Sequence, residues 1–201
     1  MASLENAFAL LGLPPSAHLM PETVRTAFTA AAAACHPDKN TGEDDRTART
    51  LQFTALNDAC AILSHPAQRL RQLYSLLYPE APAVPPGSGP DDGMIQLFTA
   101  AGAAVNAVNA VKTSLHKAST TLARALLAPA RMQAHEGLEA VAAALDARQR
   151  SMTVALQEID AALAAGQDSG QEIARAAALA AFLHKWHQQV RTAMAELAAL
   201  E

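Results

Sequence analysis

The chain has 201 residues, of which 51% are apolar, 17% charged and 4% aromatic, and its formal net charge is −4. That length builds one good-sized domain or two small ones. Forty-nine alanines stand against twelve valines and isoleucines, which excludes a β-sandwich or a doubly wound sheet and predicts an all-α protein with lean, alanine-rich helix contacts.

In chain order, apolar spacing predicts four short helices before residue 79. The first covers residues 4–11 and stops at Gly12, Pro14 and Pro15. The second opens at Pro21, with Glu22 on the positive end of its dipole. It places Val24, Phe28, Ala31 and Cys35 on one face and ends before Pro37. A polar loop follows. The third helix carries Phe53, Leu56, Cys60 and Leu63, and the fourth starts at Pro66 with Leu70, Leu73, Tyr74 and Leu77. The second and third should form an antiparallel hairpin, with the short flanking helices packed on it.

Residues 79–93 read PEAPAVPPGSGPDDG, with five prolines and three glycines. Such a segment reads as an extended linker. It divides the chain into 1–78, the linker 79–93 and a helical unit 94–201. Within that unit, an apolar helix is expected over 94–128, broken or restarted at Pro129. A second is expected over 130–163, with Met152, Leu156, Ile159 and Leu163 on one stripe. After a turn at 166–170, where Asp168 or Ser169 can cap, the last helix spaces Ile173, Ala176, Ala180, Leu183, His187, Val190, Met194 and Leu197 by threes and fours. That is a bundle seam, and the unit reads as an antiparallel helical bundle.

No block of Lys or Arg appears, so nucleic acid is not an expected partner. Cys35 and Cys60 are too few for a disulfide framework or a cysteine zinc site, and two thiols at apolar positions suit a reducing compartment. The first seventeen residues lack a basic n-region, and Arg25 is the first basic side chain, which argues against a secretory signal or an Arg-rich transit peptide. No run of about eighteen apolar residues is free of charge and proline. A cytoplasmic protein with no membrane span is expected.

The informative motif is His36-Pro37-Asp38-Lys39, set between an apolar helix and a polar loop leading to another. Pro37 stops the helix and stiffens the corner, which presents Asp38 to a cationic or N–H partner. With Phe8-Ala9-Leu10-Leu11-Gly12-Leu13-Pro14, Phe28, Leu56-Asn57-Asp58-Ala59, Leu63-Ser64-His65-Pro66 and Arg69, residues 6–77 resemble a J-domain. Within that class they are most similar to the HscB-type cochaperones of iron–sulfur cluster assembly. Phe182-Leu183-His184-Lys185-Trp186 is similar to a stretch in that family's last helix, and a helical C-terminal domain after a linker matches the family's architecture.

The resemblance implies docking on a DnaK-type chaperone through His36, Pro37, Asp38 and Lys39, with Arg25 on the preceding helix. It implies stimulation of the partner's ATPase, with Asp38 at the partner's interdomain region, and no chemistry in this chain. It also implies delivery of a client, the iron–sulfur scaffold protein, by the C-terminal bundle. J-domains usually carry Lys and Arg before the His-Pro-Asp corner, whereas this chain has Arg25 and then TAFTAAAAAC. The scaffold-binding pattern is only partly matched, by Met132 within Arg131–Glu136. A J-protein for another client, or a J-fold adaptor without chaperone docking, therefore stays open.

Phe182 and Trp186 are spaced i, i+4 beside the seam and serve either as a client patch or as bundle packing. His184 and His187 are three apart, but two ligands make no metal site, so no metal and no cofactor is expected. No paired carboxylates, phosphate loop or nucleophile–base set suggests an enzyme. The apolar helix after the linker is expected in the bundle core or in a homo-oligomer contact.

Overall fold

The computed structural model describes residues 6–34, 43–82 and 89–200, without the side chains of 43–46. Within them, every element is an α-helix: α1 (Ala7–Leu10), α2 (Pro21–Ala34), α3 (Glu43–Ser64), α4 (Pro66–Leu77), α5 (Asp92–Lys117), α6 (Thr121–Ala125), α7 (Ala128–Ala164) and α8 (Gly170–Ala198). The all-α expectation is met. Two compact units result. One joins residues 1–88 with 153–178, and the other joins 89–152 with 179–201.

In the first unit, Asn6 caps α1 by accepting the Ala9 N–H, and Gly12 ends it at φ 65. There Leu13 N–H donates to Phe8 and Gly12 N–H to Ala9, the paired bonds of a Schellman turn that favours glycine. α3 is the centre of the hairpin, packing against α1, α2 and α4. Its buried residues, Leu56, Ala59 and Leu63, join Phe8, Val24, Leu70, Leu73 and Tyr74 in the core. Losing one such leucine side chain would cost about 2–5 kcal/mol. The predicted faces were drawn slightly too wide. Phe53 is 39% exposed and Leu77, the last residue of α4, 41%; the buried face of α3 runs through Leu56, Ala59 and Leu63 and leaves Phe53 at its edge. Cys60 is half-buried, with its sulfur 3.9 Å from the Ser64 hydroxyl. α4 begins as expected, with His65 at the N-cap position and Pro66 in the first turn.

The distal part of α7 and the start of α8 belong to this same unit. The turn between them repeats the Schellman geometry, with Gly166 at φ 71, Gly166 N–H on Leu163 and Gln167 N–H on Ala162. Leu156, Ile159 and Ile173 are buried here.

In the second unit, α5 and α8 run parallel. Phe98 meets Phe182, Gly102 lies against Trp186, and Lys112 pairs with Glu196, in step along both helices. α7 opposes them, since Asp91 at the start of α5 holds Arg148, while Arg131 reaches Leu200 at the end of α8. The core is Ala101, Ala104, Val108 and Val111 of α5 with Leu138, Leu145, Leu183, Val190 and Leu197.

The first helix of this unit ends earlier than its sequence suggested. α5 stops at Lys117, and Thr120 caps α6 by accepting the Ala123 N–H. Pro129 instead sits in the first turn of α7, where a missing N–H costs nothing. Among the described residues, α5 is one helix long and apolar enough to cross a membrane, with a mean hydropathy of 1.4 over its most apolar stretch. Its buried residues nonetheless recur at threes and fours, the pattern of a helix packed on one side by protein.

Candidate functional site

The expected docking residues fall in two places. Arg25 is exposed on α2. His36, Pro37, Asp38 and Lys39 lie outside the described residues, as does Cys35. They belong to the segment that connects α2 to α3. The two helices are tied by Phe28 and Phe53, whose rings sit 6.3 Å apart at a tilt of 53°. The outer face of α2 is Glu22, Arg25, Thr26, Thr29, Ala30 and Ala33. Thr29 donates back to the Arg25 carbonyl at 2.9 Å, and Arg25 is the single basic residue of the helix. This face is therefore nearly neutral.

Arg69, singled out in the sequence, is buried and structural. Its Nε donates to the Ala17 carbonyl at 3.0 Å and a terminal nitrogen to the Leu63 carbonyl at 2.7 Å. Burial lowers its pKa, and the Asp160 carboxylate works in the opposite direction. Asp160 itself, on α7, accepts from Ser16 Oγ at 2.6 Å, Ala17 N–H at 2.6 Å and His18 N–H at 2.9 Å. The loop between α1 and α2 is thus held from two sides, by a guanidinium and by a carboxylate. Asp160 belongs to no motif in the sequence. Its only signal was a carboxylate beside the apolar stripe of Leu156, Ile159 and Leu163.

A second tie uses Tyr78. Its hydroxyl donates to Asp168 Oδ1 at 2.7 Å and accepts from Ser169 N–H at 3.0 Å, and the same carboxylate oxygen takes the Gly170 N–H at 3.1 Å. Desolvation, and then the bond to Asp168, raises the Tyr78 pKa; the same bond is the main reason that the Asp168 pKa is lowered.

The structure brings Phe182 and Trp186 together with a residue not assigned in the sequence. Phe98 stands 6.3 Å from Phe182 and edge-on to Trp186 at 5.2 Å. Trp186 is buried and Phe182 half-buried, but Phe98 is 51% exposed and Ile95 49%. Lys185 lies 6.0 Å from the centre of the Trp186 ring, within the range of a cation–π contact. The exposed apolar surface is therefore Ile95 and Phe98, backed by Phe182 over a Trp186 floor. Ile95, Phe98, Gly102 and Val105 form a stripe at threes and fours, next to the stripe that fills the core. Gly102 lies against the floor, where an added Cβ would make ordinary contact with the indole at 3.8 Å.

Met132 is exposed elsewhere. Its neighbour Arg131 reaches Leu200, eighteen positions along α8 from Phe182, or about 27 Å of helical rise. His187 faces Asp146 at 3.8 Å, a bundle histidine as read. Among the described residues, no group of three or more metal-ligating side chains occurs.

Residues 6–74 match the family model of the DnaJ domain. Among curated proteins, the chaperone protein DnaJ of Synechococcus elongatus is 36% identical over 94 residues, 46% of this chain and 31% of that protein. The match thus spans less than a third of that relative's length. Among solved structures, the chaperone HscB from Vibrio cholerae aligns with a TM-score of 0.60 at 21% identity, covering 96% of this chain and 99% of that one. The human co-chaperone protein HscB aligns at 0.59 with 15% identity, covering 94% and 81%. Residues 6–74 are therefore similar to the DnaJ domain, and the chain has the fold of the HscB co-chaperones.

Proposed function

We propose that this chain is a J-type cochaperone that docks on a DnaK-type chaperone, stimulates its ATP hydrolysis and delivers a client. The observation that carries the reading is the DnaJ-domain match over residues 6–74, with His36-Pro37-Asp38-Lys39 in the segment between the paired helices. In this reading residues 1–78 are the docking module, 79–93 the linker and 94–201 the client module. His36, Pro37, Asp38 and Lys39 engage the chaperone, with Arg25 as the one flanking cation. Asp38 acts on the partner's interdomain region, so that hydrolysis closes the partner on its substrate.

The client surface is Ile95, Phe98 and Phe182, with Trp186 as its floor; Met132 is not part of it. Solvent-facing aromatic and aliphatic groups on a packed base are what a binding hot spot needs. The likeness of fold to the HscB co-chaperones supports an iron–sulfur scaffold protein as that client, and the partly matched scaffold pattern leaves another client as the second reading. The neutral face of α2 favours a third reading, an adaptor without docking.

Single-turnover ATP hydrolysis by the host's DnaK-type chaperones separates these. Wild type should stimulate one of them, and His36→Gln and Asp38→Asn should not. Stimulation by none of them would select the adaptor. The client is tested by binding of purified scaffold protein to wild type and to Ile95→Asp. Retained chaperone stimulation with lost scaffold binding is the expected pair of results. No scaffold binding by wild type would select a different client.

A further inference from the structure

We infer that the far end of the second unit is a docking groove for an acidic, leucine-bearing segment of a partner protein. Lys112, His116 and Lys117 of α5, Arg124 of α6 and Arg131 of α7 line one recess of about 970 Å³. Lys112, Lys117, Arg124 and Arg131 come from three helices of a chain whose net charge is −4, so four cations are gathered here against the overall balance.

Only part of that charge is used internally. Lys112 pairs with Glu196 at 2.7 Å. Arg131 gives one terminal nitrogen to the Leu200 carbonyl at 3.5 Å, and Arg124 gives Nε to Ala118 at 3.4 Å. Among the described residues, no carboxylate pairs with Lys117, Arg124 or Arg131. Unpaired cations around a recess attract and orient an anionic partner.

The apolar half of the chemistry is present as well. Leu122 is 71% exposed and Leu126 72%. Leu122 lies in α6 and Leu126 at its C-cap, spaced i and i+4 on either side of Arg124 in the sequence. The recess itself takes its apolar lining from Leu115, Leu127 and Leu200. A leucine-bearing acidic helix would bury its own leucines there and set its carboxylates against the basic rim. The concave shape favours one chain segment over a bilayer, whose flat surface would leave the recess unfilled. The aromatic surface of Ile95 and Phe98 lies toward the opposite end of α5, so the two sites are separable.

The test uses the full chain and a fluorescein-labelled helical peptide of glutamates with two leucines spaced four apart, followed by anisotropy and by amide shift mapping. The expected result is saturable binding, weakened by salt, with shifts confined to residues 112–131 and 199–200. Lys117→Glu with Arg124→Glu should weaken it at least tenfold, while Lys117→Arg with Arg124→Lys and Ile95→Asp should keep it. Circular dichroism checks that the charge-reversed protein is folded. Unchanged affinity after charge reversal would overturn the inference. So would binding to phosphatidylserine vesicles without binding to the peptide, or self-association of wild type that the same reversal abolishes.

Discussion

Asp160 accepts the N–H of Ala17 at 2.6 Å across 143 residues of chain. The same carboxylate takes the Ser16 hydroxyl and the His18 N–H, and Arg69 holds the Ala17 carbonyl from the other side. A loop between two short helices is thereby fixed by ionic groups from α4 and α7. Loops without such ties are the first parts of a fold to open.

Asp160→Ala should destabilise the protein by about 1–3 kcal/mol, since charged hydrogen bonds are lost and Arg69 keeps its burial without the opposing carboxylate. Asp160→Asn, which retains one acceptor oxygen, should cost less. Urea denaturation checks both. A change in midpoint no larger than that of an exposed control such as Glu158→Ala would show that water replaces the carboxylate at no cost.

Stability should fall at both ends of the pH scale for named reasons. The Asp91 carboxyl is held below its usual value of 3.8, first by accepting the Met94 N–H at the start of α5 and then by Arg148. A depressed folded pKa means that the unfolded chain binds its proton first. The stabilisation is present above about pH 4 and is lost as pH falls through the folded value. Asp168 behaves in the same direction because of Tyr78. Tyr78 itself is raised above 10.0, by desolvation and then by Asp168. Its contribution is therefore full below about pH 10 and is lost as pH rises through the folded value. Asp91→Asn should flatten the acid limb of a Tm-against-pH curve, and Tyr78→Phe the alkaline limb. A limb left unchanged by its own substitution would refute the assignment.

If the chaperone docks on α2, its approach has one cation to steer it. Stimulation should then change by less than about threefold between roughly 50 and 300 mM salt, because screening acts on few charges. Arg25→Ala should remove most of the remaining salt dependence. Initial rates of single-turnover hydrolysis at several ionic strengths measure this. A steep salt slope that survives Arg25→Ala would place the steering charge elsewhere on the chain.

What could be read from the sequence was what rests on local periodicity and on helix punctuation. The alanine-rich spacing predicted every long helix, and Gly12, Pro21, Pro66 and Gly166 marked ends or starts because each acts through its own backbone. The end of α5 was misplaced because Thr120 caps weakly in sequence terms, whereas Pro129 draws attention although it is harmless in a first turn. Phe182 and Trp186 were legible as a pair. Phe98 and Ile95 were not, since the neighbouring stripe fills the core and only packing tells which of two adjacent stripes faces water. Asp160 was invisible for a similar reason: its three donors lie far away in the chain. The His36-Pro37-Asp38 motif was read from residue identity and order alone, and it lies outside the described residues.

Two glycine substitutions should move stability in opposite directions. Gly137 lies inside α7 with nothing within 4 Å of an added Cβ, so Gly137→Ala should stabilise by about 0.5–1 kcal/mol through the entropy of the unfolded chain. At Gly170 an added Cβ would stand 3.1, 3.2 and 3.4 Å from three atoms of the Tyr78 ring. Those are body atoms of a ring whose hydroxyl is already held by Asp168 and Ser169, so the ring cannot withdraw without losing both bonds. Gly170→Ala should therefore lower the Tm, even though alanine is the better helix former. Repeating it in a Tyr78→Ala background isolates the contact, because there the alanine should become neutral or stabilising. If Gly170→Ala lowers the Tm equally in both backgrounds, the cost lies in the helix start itself and the Tyr78 contact is not its source.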